Sequence, residues 1–289
     1  MQVHIKLLPE TPVRVPFSYY SNMSAAVYQA ISDSDSSFAS ALHDGEEHKS
    51  KIKLFGFSPL YSQKTEIQKT DKANNQEGAF VFKGVTSFIV CSPWPELVNR
   101  LGEGLLKNGY LRIGSQLLKV LEAAILPPPE FKDKMVWCPV KTASIVTSWS
   151  RKTDENKIFA FPDKPADGQA CEILLKTNLM HKWKRLCEIR RDIAASWAGC
   201  EEDSLNAVIN EKDITVNLRI PQNNAPSYKT KLHYIKGNPV RSWIAPVEIN
   251  APLPIQRLAW SCALGEMNSM GFGVVEPDKN FDRITGLSG

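Results

Sequence analysis

Three consecutive prolines, Pro127 to Pro129 in ILPPPEFKDK, limit what this chain can fold into more than any other feature. Proline fixes φ and carries no N–H, so the run fits neither a helix interior nor a central strand and reads as an extended connector. The expected division is a first domain over 1–126, a proline-rich linker over 127–134, a second domain over 135–277 and a tail over 278–289. Either large piece is long enough to bury a core.

Apolar periodicity gives both pieces the same order of elements. VHIKLLPE alternates as a strand, while Met23, Val27 and Ile31 recur at helical spacing in SYYSNMSAAVYQAIS. SDSSFASALH predicts a short second helix that stops at Asp44-Gly45, and KIKLFGFSPL predicts a strand ending at Pro59. GAFVFKG and VTSFIVCS follow as strands, PWPELVNRLGEGLLKNG as a helix closed at Asn108-Gly109, and LRIGSQLLKVLEAAIL as a closing strand or strand pair. Beyond the prolines, VWCPVKTASIVTS, ITVNLRI, YKTKLHYIKG, RSWIAPVEIN and GFGVVEP read as strands. ACEILLKTNLMHKWKRLCEIRRDIAASW and PLPIQRLAWSCALG read as helices. Strand, helix, strand, strand, helix, strand is the ferredoxin-like order. The expected fold class is α+β, with two tandem ferredoxin-like (RRM-like) domains and a glycine-rich loop near the C-terminus.

Composition narrows the setting. No apolar run approaches the roughly 18 residues of a membrane span, and MQVHIKLLPETPVR lacks the apolar centre of a signal peptide, so a cytoplasmic protein with no membrane partner is expected. A net charge of +4 fits a polyanionic partner without requiring one. Six cysteines are scattered without a CxxC pair, which suggests buried reduced thiols rather than a zinc site or a disulfide framework.

CALGEMNSMGFGVV, Cys262 to Val275, packs Gly265, Gly271 and Gly273 between two apolar runs. Glycines let backbone N–H groups approach an anion. A nucleotide P-loop needs Lys followed by Ser or Thr after its last glycine, and Val274 follows here. A dinucleotide fingerprint runs from strand to helix, whereas this loop runs from helix to strand. Two readings remain: a helix C-cap at Gly265 with a bulged strand start at Gly271-Gly273, or a cradle for another kind of phosphate.

The loop resembles the signature of the repeat-associated RNA-binding superfamily of CRISPR systems, Gly-x-Gly, five residues, Gly-x-Gly, with Ala263 standing in the place of the first glycine. GEMNSMGFG is similar to the loop of the CRISPR-associated endoribonucleases of the sixth Cas family. AVYQAI with Tyr28, ALHDG with His43, and KLFGFS with Lys53 resemble that family's N-terminal half in order. A long interval between His43 and Lys53 leaves Lys49 and Lys51 as rivals for the lysine. Both ends of the chain carry the resemblance, and the stretch from about Lys64 to Asn224 matches only in general pattern.

The resemblance implies a metal-independent endoribonuclease, without cofactors, that binds CRISPR repeat RNA and cuts pre-crRNA by attack of the 2′-hydroxyl on the adjacent phosphate. His43 would serve as base or acid, Tyr28 would position it or hydrogen-bond the phosphate, and Lys53 would supply charge. RNA contact is implied at Gly265, Asn268, Ser269, Gly271, Phe272 and Gly273, and in the basic strands at Lys229, Lys231, Lys236 and Arg241. The alternative is a non-catalytic crRNA-binding subunit. An effector complex and a second copy of the chain are further implied partners. Taken singly, His43 reads as a capping or half-buried side chain, Tyr28 as core and Lys53 as an edge lysine. His4, His48, His181 and His233 are weaker candidates. The basic run HKWKRLCEIRR is either a solvated helix surface or a set of phosphate contacts.

Overall fold

The computed structural model describes residues 1–44, 53–70, 77–149, 158–162, 165–219 and 229–278. The N-terminal half opens with β1 (Gln2–Leu8), β2 (Val13–Pro16), α1 (Tyr20–Ser34) and α2 (Ser36–Asp44). It continues through β3 (Gly56–Phe57), β4 (Tyr61–Ser62), β5 (Thr65–Gln68), β6 (Ala79–Phe82) and β7 (Thr86–Cys91). After α3 (Pro95–Asn108), β8 (Tyr110–Ile113) and β9 (Gln116–Leu126) close it as a hairpin. The main sheet runs β3-β7-β1-β9-β8 with antiparallel pairings, the strand order of a ferredoxin-like unit with β8 added at one edge. Val3, Ile5 and Leu7 of β1 point into a core shared with Met23, Val27 and Ile31 of α1 and Leu97, Leu101 and Leu105 of α3.

α1 and α3 approach most closely at Gly104, where an added Cβ would lie 1.7 Å from the Ala30 carbonyl oxygen. Gly109 ends α3 at φ 70°, a conformation cheap only for glycine.

The C-terminal half contains β10 (Lys134–Pro139), β11 (Ser148–Trp149), β12 (Ile158–Phe159), α4 (Pro165–Ile189), α5 (Arg191–Ala198) and α6 (Leu205–Val208). Next come β13 (Thr215–Leu218), β14 (Lys229–Ile235), β15 (Asn238–Ile244), β16 (Val247–Asn250), α7 (Leu253–Cys262) and β17 (Val275–Pro277). Its sheet, β13-β16-β10-β17, is a second ferredoxin-like unit. Leu175 and Leu179 of α4 and Ile255, Leu258 and Ala259 of α7 share its core with Trp137, Val247 and Ile249. The triple proline lies between β9 and β10. Among the described residues no helix is long and apolar enough to cross a membrane.

Three segments differ from the sequence expectation. Among the described residues of KIKLFGFSPL only Gly56–Phe57 are strand, and GAFVFKG leaves the main sheet: β6 pairs with β2 and β5 in a separate three-stranded sheet. RSWIAPVEIN is two strands, because Pro246 has no N–H to continue a ladder. The first of them, β15, pairs with β14 and adds a bridge from Trp243 to Ile145, and this hairpin stands outside the C-terminal sheet. Among its buried residues, Ile235 and Val240 belong to the N-terminal core and Trp243 to the C-terminal core, so burial across both halves overrides the expected sheet membership.

Gly104→Ala forces α1 and α3 apart. It is expected to cost about 1–3 kcal/mol, read as a lowered midpoint in urea unfolding; an unchanged midpoint contradicts the tight crossing.

Candidate active site

After α7 the chain reverses through residues of positive φ: Ala263 (62°), Gly265 (67°), Met267 (58°), Gly271 (96°) and Gly273 (80°). A Cβ at Gly265 would lie 2.4 Å from the Val146 carbonyl oxygen, and one at Gly273 would lie 1.9 Å from that of Leu264. These glycines are required by backbone packing against the rest of the protein. Ala263, in the place of the family's first glycine, holds a glycine-like conformation with its methyl group fully buried.

Asn268 ties the loop together from within, its Nδ2 donating to the carbonyls of Leu264 and Phe272, both at 3.0 Å. The amides of Leu264, Glu266, Met270, Gly271 and Gly273 donate to backbone carbonyls of Gly273, Val146, Met267, Asn268 and Ser144. These five N–H groups are committed inside the protein. Phe272 is buried and stacks on Tyr20 of α1 at 5.3 Å and 7°, while His233 of β14 meets both rings edge-on at 5.0 Å. Burial, with Lys231 nearby, pushes the His233 imidazole down to about 4, so it is neutral at pH 7 and accepts or donates one hydrogen bond to Ser242 Oγ at 2.9 Å. The loop, the hairpin and α1 meet in this aromatic layer.

Lys182 of α4 closes the other side of the loop. It is 1% exposed, and its ammonium donates to the carbonyls of Cys262 (3.3 Å), Ala263 (2.8 Å) and Gly265 (3.0 Å). These are C-terminal carbonyls of α7 and the turn beyond it, which have no helical partners. Desolvation pushes the Lys182 amine down to about 8.

On the solvent side of this assembly lies a cleft of about 540 Å³, lined by Tyr28, Lys53, Lys236, Ser269 and Met270. Lys53 Nζ donates to Tyr28 Oη at 2.5 Å and lies 4.8 Å from the centre of its ring. Burial pushes the Tyr28 hydroxyl up to about 12, which keeps it protonated. Ala39 and Ser40 of α2 also line the cleft. Helical spacing puts position 43, in the last turn of α2, one turn beyond them; the His43 side chain lies outside the described residues, as do Lys49, Lys51 and His48. Ser21, Ser24 and Ser32 add hydroxyls along α1, and Ser21 Oγ is buried with no hydrogen-bond partner among the described residues. Among the described residues no three of His, Cys, Asp and Glu converge on a metal-sized site.

The other basic residues are dispersed. Lys229 is exposed on β14, and the Arg241 guanidinium lies 5.9 Å from the Phe161 ring centre. Lys231 donates to the Thr142 carbonyl at 2.8 Å beside a second groove, about 590 Å³, that includes Tyr61, Phe80 and Tyr234. In the run HKWKRLCEIRR Lys182 is the one buried basic residue, while at the surface Arg185 pairs with Glu188, Arg190 with Glu96 and Asp192, and Arg191 with Glu202 and Asp203. His181 and Lys184 remain exposed. The convergence of Lys236 with Tyr28 and Lys53 has no signal in sequence spacing, because it depends on the hairpin's docking.

The profile described as CRISPR-associated protein Cas6, N-terminal, matches residues 14–124, and that of CRISPR associated protein Cas6, C-terminal, matches residues 126–277. The chain belongs to the Cas6 family. A Methanocaldococcus jannaschii relative, CRISPR-associated endoribonuclease Cas6 1, is 24% identical over 285 residues, covering 97% of this chain and 94% of the relative. A solved structure described as CRISPR associated protein Cas6 is 21% identical with a TM-score of 0.68, covering 96% of this chain and 99% of that one. Another, of a Cas6-related gene product from Pyrococcus furiosus, is 16% identical with a TM-score of 0.69, covering 96% and 98%. At these identities the structural likeness establishes the fold, two ferredoxin-like units in tandem.

The Lys182 tie predicts a pH effect. With a folded-state value near 8 against 10.5 unfolded, the unfolded chain binds the proton more tightly, so wild-type stability rises with pH across this window. Relative to Lys182→Met, the wild type is expected to gain on the order of 3 kcal/mol between pH 7 and pH 10.5. Urea unfolding at the two pH values checks it; parallel pH profiles contradict it.

Proposed function

We propose that the protein is a metal-independent endoribonuclease that binds CRISPR repeat RNA and cleaves pre-crRNA within the repeat. One observation carries the reading: in a Cas6-family chain, the Tyr28–Lys53 pair from the N-terminal half and the glycine-loop edge at Ser269–Met270 line the same cleft.

RNA supplies the nucleophile. The 2′-oxygen attacks the adjacent phosphorus, its proton passes to a base, and the P–O5′ bond breaks as the leaving oxygen takes a proton. The products are a 2′,3′-cyclic phosphate and a 5′-hydroxyl, with no water consumed and no electron transferred. The protein's task is to hold the 2′-oxygen in line with the leaving oxygen, move protons and stabilise the phosphorane-like charge. His43 is assigned the proton steps, as general base or general acid. Lys53 provides positive charge for the phosphate, and the protonated Tyr28 hydroxyl holds Lys53 in place. The loop's role in this reading is architectural: with its amides committed to carbonyls, it shapes the wall of the cleft and offers the Ser269 hydroxyl to RNA.

In EDTA the purified protein is expected to cut its cognate repeat RNA once, leaving a cyclic phosphate, and a 2′-deoxy nucleotide at the cut site is expected to abolish cleavage. His43→Ala and Lys53→Met are each expected to lower the single-turnover rate by about 10²–10⁴-fold, and Tyr28→Phe by less. Metal dependence, or a His43→Ala rate equal to wild type, contradicts the mechanism; binding without cleavage favours the non-catalytic crRNA-binding subunit.

A further inference from the structure

The β14–β15 hairpin ends in a two-residue turn, Lys236-Gly237, between the paired residues Ile235 and Asn238. Both turn residues have positive φ, 50° and 81°. Such turns favour Asn or Gly at the first position, because a side chain there crowds its own backbone. A lysine carries strain in that conformation, and strain of this kind collects at functional positions.

Anchoring fixes where the turn points. Ile235 and Val240 are buried in the N-terminal core, and His233 packs against Tyr20 and Phe272. The hairpin is therefore held by both halves: its tip end is buried in the N-terminal core, and its base is fixed in the C-terminal core through Trp243. Its tip reaches the cleft lined by Tyr28 and Lys53. There the two lysines differ: Lys53 is bonded to the Tyr28 hydroxyl, whereas Lys236 is exposed and makes no hydrogen bond or ion pair among the described residues. Ser21, whose hydroxyl has no hydrogen-bond partner among the described residues, lines the same cleft. Among the described residues no carboxylate lines it.

We propose that Lys236 is a second phosphate-facing cation of this cleft, supplied by the C-terminal half, which stabilises the charge developing on the scissile phosphate. The assignment rests on the ribonuclease reading above and adds to it a catalytic group outside the Tyr28, His43 and Lys53 set. Lys53, held by Tyr28, is the fixed charge. Lys236, exposed and without a hydrogen-bond or ion-pair partner among the described residues, can turn toward the phosphate as it becomes more negative.

The test compares wild type, Lys236→Asn and Lys236→Arg, with Lys212→Met as an exposed lysine outside the cleft. Asn suits the turn, so Lys236→Asn is expected to keep or raise the melting temperature. Its single-turnover rate at saturating protein is expected to fall about 10- to 100-fold. Lys236→Arg restores most of the rate, and Lys212→Met matches wild type. Binding of 2′-deoxy repeat RNA is measured alongside. A Lys236→Asn protein that binds more weakly but cuts at the wild-type rate when saturated overturns the catalytic assignment and leaves Lys236 a binding residue; unchanged binding and rate also overturn it. A wild type that binds repeat RNA without cutting it defeats the ribonuclease reading itself, a result recognisable before any variant is made.

Discussion

The stack of Phe272 on Tyr20, with His233 edge-on to both, is the contact on which the rest of the molecule depends. Two ferredoxin-like units joined by a short proline-rich stretch could sit in many relative positions. Burying Phe272 from the last loop, His233 from the hairpin and Tyr20 from the first helix in one layer selects one of them. Truncating a buried aromatic of this kind costs about 3–5 kcal/mol, comparable to a large share of a domain's net stability. The neutral state of His233 belongs to the same logic, since a charged imidazole in this layer would be desolvated and would face the Lys231 ammonium.

Around that layer, the polar groups are arranged to hold backbone rather than to meet solvent. Asn268 bridges two loop carbonyls, Lys182 caps three at the end of α7, and Gln2 Nε2 reaches from β1 to the carbonyls of Trp260 and Val275. The glycine loop is thereby rigid from both sides, and its exposed edge is a wall of the cleft. A buried lysine is costly to desolvate, but it supplies several donors at a point where carbonyls converge and no helix N–H is available.

Much of this was legible in the sequence, and the failures have physical causes. The alternation in VHIKLLPE and the 3.6-residue spacing of Met23, Val27 and Ile31 locate the first strand and helix because these faces bury against each other. Tyr28 and Lys53 could be named as partners from their resemblance to a family pattern; their contact comes from the fold. Lys182 reads in sequence as one more charge in a basic run, because helical periodicity places it on a face without revealing the carbonyls opposite it. Phe272 reads as an RNA-facing ring in a glycine loop, yet its side chain is sealed against Tyr20. The hairpin YKTKLHYIKGNPVRSW alternates like any sheet strand, and local patterning does not show that Ile235 and Val240 are buried in the other half of the chain. Long-range burial, which sequence spacing does not encode, separates the residues correctly placed from those that were not.

The central claim is that RNA is cut in the cleft where the two halves meet, and a crystal structure with a cognate repeat RNA carrying a 2′-deoxy nucleotide at the cut site tests it most directly. The account predicts the uncut phosphodiester beside Tyr28, within hydrogen-bond reach of the Lys53 and Lys236 ammonium groups and facing Ser269. A scissile phosphate lying elsewhere, for instance along the Tyr61–Tyr234 groove with the cleft empty, would contradict it.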